Sequence, residues 1–243
     1  SGLTITNVFA ADTLSCGGWF ESAYATWNDS NPKGASVAYK LAGSADYTNV
    51  DSELIRAYGS TARVDIPGLK GNTDYNLKIT SSDGNVIEKT VRTDAFRRDG
   101  FAHFNYTDGV GAYNDDGTLK SNAVVVYVTE ENKNTVQLPG YTGSQYPAGI
   151  GNILNYKSED ANGVTGGGKI DIVQQLRAEG IPLDVRFVGK IRGGDSNTSN
   201  NPPAENIKGL TGYNTTTNGG TKGDNGMMIR VYKSSNVTIE GNW

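Results

Sequence analysis

His103 is the only histidine of the chain, so any Ser-His-Asp, Cys-His or multi-histidine metal chemistry would have to pass through it. No Gly-x-Ser-x-Gly nucleophile turn accompanies it, and it reads as a residue packed near a domain junction. Asp108, Asp115 and Asp116 raise the question of calcium, which is wrapped by carboxylates at alternate positions around a glycine. Their spacing matches no loop of that geometry, and Asp115-Asp116-Gly117 reads as a turn. Cys16 stands alone, which excludes an intrachain disulfide framework and a cysteine-based zinc site. The run GVTGGGK ending at Lys169 lacks the Gly-Lys-Ser/Thr of a phosphate loop, because Ile170 follows the lysine. Gly166-Gly167-Gly168 likewise lacks the spacing and preceding strand of a dinucleotide fingerprint. Trp19, Phe20, Tyr24, Tyr47 and Tyr58 could stack on a saccharide ring. Aromatic residues of a β-sandwich more often pack its core or edges, so a spacer or interaction role is the plainer expectation for the region that carries them.

The elements that would position these residues are mainly strands. Residues 3–95 alternate apolar and polar in LTITNVF, SAYATWN, SVAYKLA, TARVDI, DYNLKITSS and VIEKTVRT. Turn formers separate them at Asn28–Pro32, Lys70–Asn72 and Ser82–Asn85, the last an Asp-Gly hairpin signal. Six short strands without helical periodicity predict an antiparallel sandwich over residues 1–95. In residues 96–243, AVVVYVT predicts a strand covered on both faces, and 139–168 reads as a glycine-rich surface loop. One helix is predicted in KIDIVQQLRAEG, with Ile170, Ile172, Val173, Leu176 and Ala178 as its apolar stripe and Gly180 as its cap. GIPLDVRFVGKI then alternates Leu183, Val185, Phe187 and Ile191 with Asp184, Arg186 and Lys190. GMMIRVYKSSNVTIEGNW has Met228, Ile229, Val231 and Tyr232, a Lys233–Asn236 corner, then Val237, Thr238 and Ile239. Strand, Asn-containing corner and short strand predict one coil of a parallel β-helix, with an ordinary hairpin as the alternative.

Composition bounds the partners. With 36% hydrophobic and 20% charged residues the chain can build a core, and 32 glycines and 13 tyrosines against 7 prolines favour a turn-rich β protein. The net charge of −4 argues against nucleic acid as a partner. No apolar run reaches membrane-spanning length, and no membrane span is expected. Ser1-Gly2 has no signal-peptide character, so any export signal is expected to lie outside this sequence.

Trp27, Tyr39 and IPGLKGNTDYNLKI resemble a fibronectin type III domain. That resemblance implies Trp27 in the core of an early strand, and Leu69 with Tyr75 in a tyrosine corner whose phenol reaches upstream backbone. The segment LAGSADYTNVDSELIRA is longer than the usual middle strands, and Lys70-Gly71 stand where many members carry proline. Residues 96–243 are similar to the N-terminal part of pectate lyases of polysaccharide lyase family 1, on GAYNDDGTLKSNAVVVYVT, IVQQLRAEGIPLDVRFVGKI and VYKSSNVTIEG. The resemblance implies the first coils of a right-handed parallel β-helix, entered through the short helix. It also implies a secreted, periplasmic or cell-surface bacterial protein that cleaves polygalacturonate, an acidic plant polysaccharide. In that family a carboxylate-bound calcium neutralises the uronate and an arginine removes the C5 proton. The family's calcium ligands and base come from later coils, expected beyond Trp243. Arg186, Arg192 and Arg230 lie on or beside early strands without a family motif, and no catalytic, metal or cofactor-binding residue is assigned here. Two further classes compete with an enzyme: a non-catalytic polysaccharide-binding module and a structural adhesion array.

Overall fold

A computed structural model describes residues 14–100, 103–104, 108–155, 169–191 and 237–242. The protein is mainly β, with antiparallel sheets and few helices. It divides into two compact units: Ser1–Phe104 with Asp115–Thr118, and Asn105–Asn114 with Leu119–Trp243.

In the first unit, β1 (Ser15–Trp19), β2 (Ser22–Asn28), β5 (Ile55–Tyr58) and β6 (Thr61–Pro67) form an antiparallel sheet in the order β1-β2-β6-β5. A second antiparallel sheet has the order β4-β3-β7-β8, from β3 (Ser36–Leu41), β4 (Thr48–Asn49), β7 (Asp74–Thr80) and β8 (Val86–Arg92). The alternation read in the sequence becomes the burial pattern, because successive side chains of a strand point to opposite faces. Ala23, Ala25 and Trp27 on β2, Ala62, Val64 and Ile66 on β6, and Tyr75, Leu77 and Ile79 on β7 are all buried. LTITNVF lies outside the described residues.

Two polar ties cross this unit. Trp27 is 2% exposed and its Nε1 donates to Asp29 Oδ2 at 3.1 Å. Asp29 also accepts from the backbone of Asn31 and Ser82, both at 2.9 Å, and from the Ser82 hydroxyl. The end of β2 is thereby tied to the β7–β8 turn. At the other end, the Tyr75 hydroxyl accepts from Lys70 N at 2.9 Å over a buried Leu69, which is tyrosine-corner geometry. Strand β1 was not foreseen: its SCGGW sequence lacks alternation. Gly18 is required there, since a Cβ would fall 1.6 Å from the Arg92 carbonyl oxygen.

In the second unit, β9 (Val124–Val128), β10 (Leu183–Val188) and β11 (Val237–Asn242) form a sheet in the order β11-β10-β9. Both pairings are parallel, so β10 and β11 are not the arms of a hairpin. Helices α1 (Ile150–Asn155) and α2 (Ile172–Glu179) supply the rest of a core that includes Val126, Val128, Ile150, Ile153, Leu176, Leu183 and Val185. Helix α2 starts where its N-cap Asp171 accepts from Gln174 N at 3.2 Å. It ends in a Schellman arrangement, with Gly180 left-handed at φ 67° and Ile181 N donating to Leu176 O. Ile170 and Ala178, expected on the apolar stripe, are exposed: Ile170 precedes the N-cap and Ala178 lies on the far side of the last turn. The segment expected to be a surface loop contains α1, whose Ile150, Ile153 and Leu154 are buried. The strand expected in GMMIRVY and its Lys233–Asn236 corner lie outside the described residues.

Candidate functional site

The densest group of reactive side chains lies on one face of the parallel sheet. The register sets Arg186 beside Tyr127 on β9 and Glu240 on β11, while Asp184, two residues before it, shares its face. The opposite face carries Leu183, Val185 and Phe187 into the core. Every residue of β10 is buried, so the charges meet each other instead of water. Arg186 Nε donates to Asp184 Oδ2 at 2.9 Å and to Glu240 Oε1 at 3.0 Å. Its Nη1 donates to the Tyr127 hydroxyl at 2.8 Å, and its Nη2 to the Tyr113 hydroxyl at 3.3 Å. The Tyr113 hydroxyl in turn donates to Asp184 Oδ2 at 3.2 Å and to Glu240. Ala112 N donates to Thr238 Oγ1 at 2.9 Å, so the segment bearing Tyr113 is fastened to β11. Gly111, at φ 61°, lies against the same hydroxyl, where a Cβ would come within 2.3 Å of Oγ1.

Electrostatics follow from burial. Asp184 is 0% exposed, and its Oδ1 has no hydrogen-bond partner among the described residues. Burial first, then the Glu240 carboxyl beside it, push the Asp184 carboxyl up to about 7, against the pull of Arg186. Burial also raises the Tyr113 phenol, helped by Glu240 and Asp184. For Arg186, burial alone would lower the guanidinium, but Tyr113, Asp184, Tyr127 and Glu240 hold it above its ordinary range. Such a set could hold and exchange a proton. With Asp184 wholly buried and Arg186 only 7% exposed, its action is to lock β9, β10, β11 and the Tyr113 segment together, not to meet a substrate.

The residues singled out in the sequence are dispersed. His103 is half-buried, 6.2 Å from the Phe96 ring, with Nδ1 unpartnered among the described residues. Asp108 is exposed, Asp115 lies 3.6 Å from Arg98 Nε, and Asp116 Oδ1 accepts from Thr118 N and its hydroxyl in the expected turn. Those two Thr118 bonds hold the Asp116 carboxyl below its usual range. Among the described residues no three His, Cys, Asp or Glu side chains converge as metal ligands. Asp184 and Glu240 already share a cation in Arg186, as Glu21 and Asp115 share Arg98, so the described residues do not fit calcium. Cys16 is half-buried and its thiol is pushed up by burial. Arg192 and Arg230 lie outside the described residues.

The five aromatics occupy three separate places. Trp19 and Phe20, 62% and 48% exposed, meet edge to face at 5.3 Å, and Phe20 meets Phe96 at 6.2 Å. Tyr47 lies between Lys40 and Lys78, 4.6 and 4.3 Å from its ring centre. Tyr24 and Tyr58 share the outer face of the β1-β2-β6-β5 sheet with Arg56, Arg63 and Asp65. Sequence reasoning missed Tyr113, Tyr127, Asp184 and Glu240. The available signal was two charges, Asp184 and Arg186, on a strand whose neighbours predict coverage on both faces.

No family model and no curated protein matches the chain. Similar solved structures include the archaellum periplasmic stator complex FlaF and FlaG from Sulfolobus acidocaldarius, at 15% identity over 37% of this chain and 98% of that one, TM-score 0.27. CopC from Methylosinus trichosporium is 13% identical over 35% of this chain and 89% of its own, TM-score 0.23. The cell-surface-expressed multi-modular chitinase ChiW from a Paenibacillus species is 10% identical over 73% of this chain and 16% of its own, TM-score 0.26. At these scores the likenesses carry no argument about activity. Among the described residues no helix is long and apolar enough to cross a membrane.

Proposed function

We propose that the chain is the front portion of a secreted pectate lyase-like enzyme: a fibronectin type III-like sandwich followed by the capping helix and first coils of a right-handed parallel β-helix. The observation that carries this reading is the parallel register of three strands, β9, β10 and β11, with α2 feeding directly into β10. Stacked parallel strands with a polar face and an apolar face are what the first coils of such a solenoid require. Buried Trp27 and the Tyr75 corner support the fibronectin type III-like part. The substrate on this reading is polygalacturonate, cleaved by calcium-assisted β-elimination outside the cell. The calcium ligands and the base belong to none of the described residues, so no catalytic step is derived through them.

A second reading, a non-catalytic polysaccharide-binding or cell-surface module, is favoured by the accessible aromatics of the first unit. The deciding experiment is an ultraviolet assay for the unsaturated product of polygalacturonate with calcium. It is run on this chain and on any longer polypeptide that continues past Trp243. Product from the longer polypeptide alone supports the lyase reading. Binding of polygalacturonate with no product from either leaves the binding module.

A further inference from the structure

We propose that the outer face of the β1-β2-β6-β5 sheet binds a carboxylate-bearing saccharide, with Tyr58 as the stacking ring and Arg63 as the partner of the uronate carboxylate. The strand registers place Tyr24 opposite Asp65, Arg56 opposite Arg63, and Tyr58 opposite Thr61, all on the face turned away from the core. Two arginines directly across from each other repel unless a counter-charge is shared. Asp65 is shared: Arg63 Nε and Nη2 donate to its two oxygens at 2.8 and 2.7 Å, and Arg56 Nη2 donates to Oδ2. Two cations against one carboxylate leave this group with a surplus positive charge. Among the described residues, Asp65 is the acid that holds the Arg63 guanidinium up, with Tyr24 and Tyr58 acting in the same direction.

These side chains are held in place, not free. The Arg63 guanidinium lies 5.1 Å from the Tyr24 ring centre. Tyr24 in turn lies over Gly17, where a Cβ would come within 3.0 Å of the ring. Arg56 is 4% exposed, and its Nη1 donates to the Tyr58 hydroxyl at 3.2 Å, fixing the far edge of that ring. What remains open is the Tyr58 ring, 51% exposed, and the Arg63 side chain, 34% exposed. Arg63 Nη1 makes no hydrogen bond to another described residue. Arg56 Nε is buried without a partner among the described residues, so Arg56 serves as a fixed charge behind the face and not as a contact. Half-buried Ser22, Thr26 and Thr61 add neutral hydroxyls to the face. A pyranose uronate presents an apolar C–H face for a tyrosine ring, a carboxylate for an arginine and hydroxyls for threonines, all on one residue. An acidic peptide offers the charge without the ring. The choice of saccharide rests on the polysaccharide reading given above. The surplus charge and the fixed geometry do not.

The test is calorimetric titration of the whole chain with oligogalacturonate, its fully methyl-esterified form and poly-glutamate, at low and high salt. Expected is binding of oligogalacturonate that weakens with salt and falls about tenfold or more on esterification. Tyr58→Ala and Arg63→Gln, both partly exposed positions, each weaken it about tenfold, measured at a temperature where the melting curve of each variant shows it folded. Binding that survives both substitutions overturns the site while leaving the polysaccharide reading intact. Equal binding of poly-glutamate overturns the saccharide. No binding of any of the three overturns the proposal, and the lyase assay then decides separately whether the wider reading also falls.

Discussion

Among the described residues each unit buries one aspartate, and the two are driven in opposite directions. Asp29 in the sandwich, 6% exposed, is surrounded by donors alone: the Trp27 indole, two backbone amides and the Ser82 hydroxyl. Burial opposes its ionisation, but those bonds outweigh it and hold the carboxyl below its usual range. Asp184 in the parallel sheet has the Glu240 carboxyl nearby, one oxygen unpartnered and a single cation to offset both. Depth alone does not set the charge of a buried carboxyl. The number and sign of its neighbours do.

The largest expected effect tests the parallel sheet. Arg186→Met removes the cation from the buried Asp184 and the partly exposed Glu240 and costs about 3–5 kcal/mol at neutral pH, measured by urea unfolding of the second unit. The loss shrinks in acid, where Asp184 holds its proton. An equal loss at both pH values would break the comparison. In the sandwich, Asp29→Ala strands four donors and costs about 2–4 kcal/mol, read from the unfolding transition followed by Trp27 fluorescence.

The pH dependence sharpens the contrast. The Asp184 carboxyl is raised above its ordinary value of about 4, so its contribution is complete below that value and is lost as pH rises through about 7. The Asp29 carboxyl is lowered, so its contribution is present above about 4 and is lost as pH falls through its native value. Hydrogen exchange resolved by unit should therefore show the parallel sheet loosening toward alkaline pH and the sandwich toward acid. Asp184→Asn should flatten the first trend and leave the second unchanged. The smallest effect is Gly117→Ala, about 1–2 kcal/mol on the sandwich. Gly117 sits at φ 93°, and a Cβ there would fall 2.5 Å from the Glu21 side chain and 2.6 Å from the Leu69 carbonyl oxygen. Unchanged melting of this variant would show that the contact yields freely.

What the sequence disclosed differs between the units for physical reasons. Strands β2, β3, β6, β7 and β8 were legible because one face of each meets a core and the other meets water, which writes a period of two. Helix α2 was legible from Asp171, the run Ile172-Val173-Leu176 and Gly180. Strand β4 has two residues and α1 has six, too short for either period to register. β1 owes its place to the close approach at Gly18, which no periodicity announces. The ionic cluster was hidden for another reason. Tyr113 and Glu240 are brought together only by the fold, across a sequence separation of 127 residues. Alternation along β10 identifies Asp184 and Arg186 as sharing a face, but it cannot name the residues that the parallel register sets beside them.

The short segment Asp115–Thr118 belongs to the sandwich unit although the chain has already left it after Phe104. Gly71 N donates to Asp116 O at 3.1 Å, and Arg98 faces both Asp115 and Glu21. During synthesis, which proceeds from the N-terminus, a nascent chain ending at residue 104 would hold the eight described strands of the sandwich but not the tie through Asp116. The sandwich therefore completes itself only after part of the second unit has left the ribosome. A cut after Phe104 leaves that tie behind, and a cut after Thr118 carries residues 105–114 away with the sandwich.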